Sequence, residues 1–301
     1  MYRLLIFLLV GCGTFQPKPT VPSDKLRELA IKSNRYADLI SSHQDSNGFI
    51  MTEHCDATLF SGLLSAALPA SKIDIRAAAN DELDQWYRRP DKDCGPAFGN
   101  SRSTISRDMI LGILWYMLKN RDVEAAEKLM SQLYNNSWLL KGDGSIGELL
   151  VNPSLIGTLA NIIKKIGGTS YPEQLLLPAS FNKTEGFVAH LTVWHILLRG
   201  ELFKEIPESH LDILKYHRDR NPRNPLFQAA YHKYTDGNQE VAIDLLLDNN
   251  EWPSHSLPTS REHCSDWPIQ RDYTERDWGS CEPVVEHTGA ELILIYQLII
   301  K

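Results

Sequence analysis

The chain has 301 residues, 43% of them hydrophobic and 23% charged, which is enough apolar surface for one large domain or two small ones. Its 31 Lys+Arg stand against 38 Asp+Glu, a formal net charge of −7, so it lacks the basic balance that nucleic-acid binding requires. The sequence holds no Walker A loop, Rossmann glycine fingerprint or GxSxG elbow, so no cofactor is expected.

Residues 4–12 read Leu-Leu-Ile-Phe-Leu-Leu-Val-Gly-Cys and follow one basic residue, Arg3. The run is too short for a bilayer span, which takes about 20 apolar residues. A basic start, an apolar centre and a small-residue end are the marks of an export signal. Leu9-Val10-Gly11-Cys12 resembles the lipobox of bacterial lipoproteins at all four positions. The resemblance implies removal of residues 1–11, acylation of Cys12, and a membrane partner held through that lipid. Gly13, standing where an Asp would signal retention, implies the outer membrane of the cell envelope. Residues 12–22 then form a Pro-rich tether, and 23–301 a single helical domain.

Besides Cys12 there are four cysteines, Cys55, Cys94, Cys264 and Cys281. An even number in an exported chain reads as disulfides, and four cysteines allow three pairings. Cys55–Cys94 and Cys264–Cys281 are favoured, because each pair lies near or within one irregular stretch. The competing reading is a metal site, since Glu53-His54-Cys55-Asp56 and Glu262-His263-Cys264 are rich in ligand types. Neither has CxxC or HExxH spacing, so no metal is expected.

From residue 26 onward two kinds of helix alternate. Residues 26–43 are amphipathic, 57–68 apolar all round, 75–86 amphipathic and 109–118 apolar. In 123–134, Val123, Ala126, Leu129, Met130 and Leu133 form one stripe, and 155–166 is intermediate. Then come 187–198 apolar, 208–219 amphipathic, 226–231 apolar, 239–247 amphipathic and 292–300 apolar, the last too short to span a bilayer. A helix apolar on every face is buried on every face, so the order is outer, inner, outer, inner. Asn152-Pro153 and Asn224-Pro225 place a cap before Pro at the first helical position. Outer helices are entered from short turns at 69–74, 120–122 and 236–237. Inner helices follow long irregular segments, 88–106, 138–152, 171–184 and 251–285, so the long loops gather at one end.

This alternation resembles the (α/α) toroid, the six-hairpin fold of many glycoside hydrolases and polysaccharide lyases. The expectation is an all-α, toroid-like array of helical hairpins, and an incomplete one, because Pro172 and Pro178 interrupt the segment where an outer helix belongs. The competing architecture is a generic helical bundle or repeat array.

Inner helices that start on the loop-rich face bring together Asp56, Asp108, Glu185, and Glu286 with His287, beside Asp143 and Glu148 in the loop 141–148. Glycoside hydrolysis commonly uses a pair of carboxyl groups. In the toroid hydrolases the acid and base come from this face, so the resemblance implies these positions as catalytic candidates without choosing among them. Capping of orphan N–H groups is the plainer role for any one of them. Asp56 and Asp108 rank first, because each leads directly into an all-round apolar helix.

The segment 251–285 holds Trp252, Trp267, Trp278, Tyr273 and Arg271, a set suited to stacking on sugar rings and bonding their substituents. Packing the loop onto the domain would use the same rings. Arg88, Arg89 and Arg102 add positive charge suited to an acidic glycan. His190 and His195, at i and i+5, read as core histidines rather than a metal face. The expectation is therefore a lipid-anchored envelope enzyme, a glycoside hydrolase or lyase acting on polysaccharide or peptidoglycan. The alternative is a non-catalytic envelope lipoprotein that binds a glycan or a protein partner.

Overall fold

The caps that the sequence advertises are made. In the computed structural model, which describes residues 22–51, 56–68, 72–92, 105–140, 149–176, 179–257 and 289–301, the Asn152 side chain accepts from the Ser154 N–H at 2.8 Å. Asn224 accepts from the N–H groups of Leu226 and Phe227 at 3.0 and 3.3 Å. Each such bond satisfies a donor that the helix itself leaves unpaired.

The helices are α1 (Ser23–Ser41), α2 (Ala57–Ala67), α3 (Arg107–Asn120), α4 (Val123–Asn135), α5 (Pro153–Ile166), α6 (Gly186–Phe203), α7 (Glu208–Arg220), α8 (Pro225–Lys233), α9 (Glu240–Leu247) and α10 (Ala290–Ile300). The chain is therefore mostly helical, as the periodicity indicates. Two features depart from that reading. First, β1 (Leu139–Leu140) and β2 (Leu149–Leu150) form a small antiparallel pair that no alternation in the sequence announces. Second, the amphipathic helix expected over 75–86 is a single 3-10 turn, Ile75–Ala78. Beyond it Leu83 takes a left-handed backbone at φ 56°, and the Asn80 side chain accepts from the Asp84 N–H at 3.0 Å. The chain then folds back so that Ala79 bridges to Trp86. A side-chain acceptor of this kind offers the backbone an alternative to the helix. Among the described residues of the Pro-containing stretch around 171–183, the one helical element is the 3-10 turn Glu173–Leu175, consistent with the sequence.

Burial follows the alternation. Every residue of α2 is buried, whereas α1 buries one stripe that includes Leu29, Tyr36 and Ile40. Packing contacts run from α2 to α3, from α3 to α5, from α5 to α6, from α6 to α8, from α8 to α10, and from α10 back to α2. Against this circuit lie α1 on α10, α4 on α5, α7 on α8, and α9 on both α8 and α1.

The closest packing in the circuit is between α2 and α3, and glycine makes it possible. A Cβ on Gly112 would stand 2.5 Å from the Leu59 carbonyl oxygen, and a Cβ on Gly62 would run into the backbone of Gly112. The two helices therefore touch backbone to backbone, and they run in the same direction, since Ala67 and Lys119 near their ends line one recess. Each glycine lies six residues after the N-cap of its own helix, Asp56 or Ser106. At 1.5 Å of rise per residue both caps stand about 9 Å from the contact, at the same height. At the opposite end, Ala67 of α2, Lys119 of α3, Glu201 of α6, Lys233 of α8 and Lys301 after α10 surround a recess of about 50 Å³. These five helices thus run in one direction, with lysines near their negative dipole ends.

A mid-helix glycine ordinarily costs about 1 kcal/mol relative to Ala, so Gly→Ala stabilises a helix whose surface is open. Here the sign should reverse. Gly62→Ala or Gly112→Ala is expected to lower stability by roughly 2–3 kcal/mol in urea denaturation, through forced separation of α2 and α3. A stabilised variant would show that the close contact is not required.

Candidate active site

The equal height of the α2 and α3 starts brings Asp56 and Asp108 within electrostatic reach of each other. Neither serves the plain capping role. Asp56 occupies the N-cap of α2 without a side-chain cap bond. The Thr58 N–H is instead taken by the Arg88 carbonyl at 2.9 Å, and the Thr58 hydroxyl shares its one proton between the same oxygen and the Tyr87 carbonyl, each 2.8 Å away. Ile105, just before α3, donates its N–H to the Trp86 carbonyl at 3.2 Å. Residues 86–88 are thereby strapped across the starts of both helices. The strap carries the Arg88 guanidinium to Asp56, where Nη1 donates to Oδ1 at 3.1 Å. Asp108 accepts from the Ser106 hydroxyl.

Burial raises the Asp56 carboxyl, and the negative charge of Asp108 raises it further. Arg88 opposes both, and the outcome is a pKa of about 6. A carboxyl group in that range keeps a proton to give near neutral pH.

Asp108 and Ser106 also stand at the edge of a cleft of about 380 Å³ that runs between the first turns of α3, α5 and α6. Its polar wall includes Ser154 of α5, Ser180, and Thr192 and His195 of α6, while Phe181 and Val188 supply apolar surface. Hydroxyl groups interleaved with apolar faces suit a ligand that has both. His195 is 6% exposed, and its Nε2 lies 2.8 Å from the Thr158 hydroxyl. Burial, then the charges of Arg199 and His210, lower its pKa to about 3, so the ring is uncharged.

The other sequence candidates are placed as follows. Glu185 precedes α6, is exposed, and pairs with Arg220 at 2.7 Å. Arg89 pairs with Asp91 at 2.6 Å, so its charge is already matched. Trp252 is corrected: it is 1% exposed, its ring packs 6.2 Å from that of Tyr36, and it offers no face to a sugar. His190 is a core histidine, as read, with the Asn224 amide 2.8 Å from its Nε2. Because the Asn224 Oδ1 accepts from α8, its Nδ2 is the atom that donates to His190. Cys12, Cys55, Cys94, Asp143, Glu148, Cys264, Trp267, Arg271, Tyr273, Trp278, Cys281, Glu286 and His287 lie outside the described residues.

Sequence reasoning missed one carboxyl group. Glu291, in the first turn of α10, is 2% exposed, and burial raises its pKa to about 7. Nothing in an Ala-Glu-Leu start distinguishes it from a surface cap. Among the described residues, no group of three or more His, Cys, Asp or Glu is arranged to hold a metal ion. No described helix is long and apolar enough to cross a membrane.

Comparison with known proteins adds no relative: no family model, no curated protein and no solved structure matches the chain.

The raised carboxyl groups have a consequence for stability. Between the ordinary carboxylate range and about 6, folded Asp56 holds a proton that the unfolded chain releases. Stability therefore falls as pH rises through that window, by roughly 3 kcal/mol for a shift of this size. Glu291 adds a fall of the same sign up to pH about 7. Denaturation at a series of pH values should show the decline in the parent and a flatter profile in Asp56→Asn with Glu291→Gln. Carboxyl ¹³C titration should find Asp56 near pH 6, moved down by Asp108→Asn.

Proposed function

We propose that this chain is a lipid-anchored envelope enzyme that acts on polysaccharide, as a glycoside hydrolase or lyase. The observation that carries the reading is the pair Asp56 and Asp108 at the level starts of two parallel buried helices, with Asp56 raised to about 6. Supporting it are the cleft that begins at Asp108 and the freedom of Asp56 from capping duty. The closed circuit of contacts among α2, α3, α5, α6, α8 and α10 also supports the toroid-like arrangement, with its outer layer reduced to single turns at Ile75–Ala78 and Glu173–Leu175.

In hydrolysis, Asp56 gives its proton to the glycosidic oxygen as the bond to the anomeric carbon breaks. Asp108 then serves the anomeric carbon, either directly or by drawing a proton from an attacking water. Arg88, bonded to Asp56, stabilises the carboxylate left after transfer. The lipobox resemblance at Cys12 supports an envelope location for this chemistry, on a tether.

Incubation of the full chain with a panel of glycans, followed by product analysis, tests the reading. The parent should release product with a rate that declines above pH about 6. Asp56→Asn and Asp108→Asn should each lose at least about a hundredfold in rate. Glycan binding without product would instead favour the non-catalytic lipoprotein. For the anchor, Cys12→Ala should abolish lipid labelling and membrane association, and full retention at the membrane would remove the lipobox reading.

A further inference from the structure

The inner wall of the cleft contains a hydrogen-bond arrangement with only one fully satisfied solution. Thr158, wholly buried on α5, has one hydroxyl proton and two lone pairs. Its oxygen lies 2.8 Å from the Ser154 carbonyl, which can only accept. Arg199 Nη1 donates to the same oxygen at 3.2 Å. The third neighbour, His195 Nε2 at 2.8 Å, must then donate as well. The proton of the neutral imidazole therefore sits on Nε2, and Nδ1 carries a lone pair. Arg199 from α6 and His210 from α7 are the charged or titratable groups that hold the ring uncharged. His210 itself is engaged, its Nε2 3.1 Å from the Ala179 carbonyl.

We infer that His195 accepts a hydrogen bond from a hydroxyl of an uncharged sugar ring in the cleft, and that Thr158 positions it by fixing the imidazole tautomer. The inference rests on the glycan reading above and narrows it to neutral substrates, hence to hydrolysis rather than elimination beside a uronate. A carboxylate placed against Nδ1 would set lone pair against lone pair. Among the described residues around the site no surplus cation stands ready to attract one, and Arg102 lies outside them. Arg107 and Asp108 line the cleft with opposite signs, Arg88 is bonded to Asp56, and Arg89 to Asp91. Arg199 lies behind the wall, against the Thr158 hydroxyl and over the Phe203 ring at 4.8 Å.

The test combines spectroscopy with binding on the full chain. Histidine ¹⁵N spectra of the parent should show His195 protonated at Nε2 and not titrating between pH 8 and pH 5, about the range in which a free imidazole would change charge. A proton on Nδ1, or an ordinary titration, overturns the inference. Calorimetric binding in the Asp56→Asn background, which stops turnover, compares chitotetraose and cellotetraose with tetragalacturonate and tetramannuronate. A neutral oligosaccharide should bind more tightly than either uronate. Thr158→Val leaves the Nε2 proton without its acceptor, moves the proton to Nδ1, and should weaken neutral-sugar binding about tenfold. Thr158→Ser should restore both tautomer and affinity.

Tighter binding of uronates, or no binding of either class, overturns the inference. If uronate polymers are cleaved in a manner dependent on Asp56 and Asp108, the enzyme reading stands and this one falls. If neutral sugars bind through His195 and no substrate yields product, the reverse holds.

Discussion

The arrangement depends first on two missing side chains. With no Cβ at Gly62 or Gly112, α2 and α3 approach backbone to backbone, and because they run in the same direction the equal distance of each glycine from its cap sets the two starts level. Two aspartates that are 52 residues apart in sequence then stand within electrostatic reach of each other. Any bulk at the contact would splay the helices and separate the carboxyl groups. Close packing and proton affinity are thus one geometric fact: the proximity that fills the core also places Asp108 where it opposes ionisation of Asp56.

Charge is sorted along the common helix direction. Carboxyl groups stand at the starts, as Asp56, Asp108, Glu185 and Glu291, and lysines stand near the ends, as Lys119, Lys233 and Lys301. Each of these groups meets the opposite end of the helix macrodipole, whereas Glu201, near the end of α6, is paired with Lys119 at 2.7 Å. For the exposed Glu185 this is ordinary surface electrostatics. For Asp56 and Glu291, burial outweighs the dipole, and the carboxyl group holds its proton.

Much of this order was legible in the sequence, because it is local. All-round apolar runs gave buried helices, and the two Asn-Pro caps gave two helix starts, since period and cap chemistry are fixed within a few residues. What was not legible depends on contacts across the chain. Residues 75–86 carry a helical stripe, yet the side chain of Asn80 and the backbone of Leu83 divert the chain into turns. A tryptophan in a loop reads the same whether it faces sugar or the Tyr36 ring, so the sequence leaves platform and packing equally open for Trp252. Likewise the pairing of Arg88 with Asp56 spans 32 residues, and that of Thr158 with His195 spans 37. No periodicity announces either, and they are what make a candidate site of a row of first-turn carboxylates and a core histidine.

The Asn224 amide shows how narrow such choices become. As a helix cap, Asn and Asp are close to equivalent. Here the two ends of the side chain have separate duties, Oδ1 toward the α8 backbone and Nδ2 toward the His190 ring. An aspartate at this position would keep the cap but could not donate to the ring, so the imidazole would have to present an Nε2 proton to the carboxylate instead. One atom's exchange, nitrogen for oxygen, would thus reverse the direction of the hydrogen bond that joins α6 to α8. The polarity of that joint is therefore a property the amide confers, and one that an inventory of good caps would never reveal.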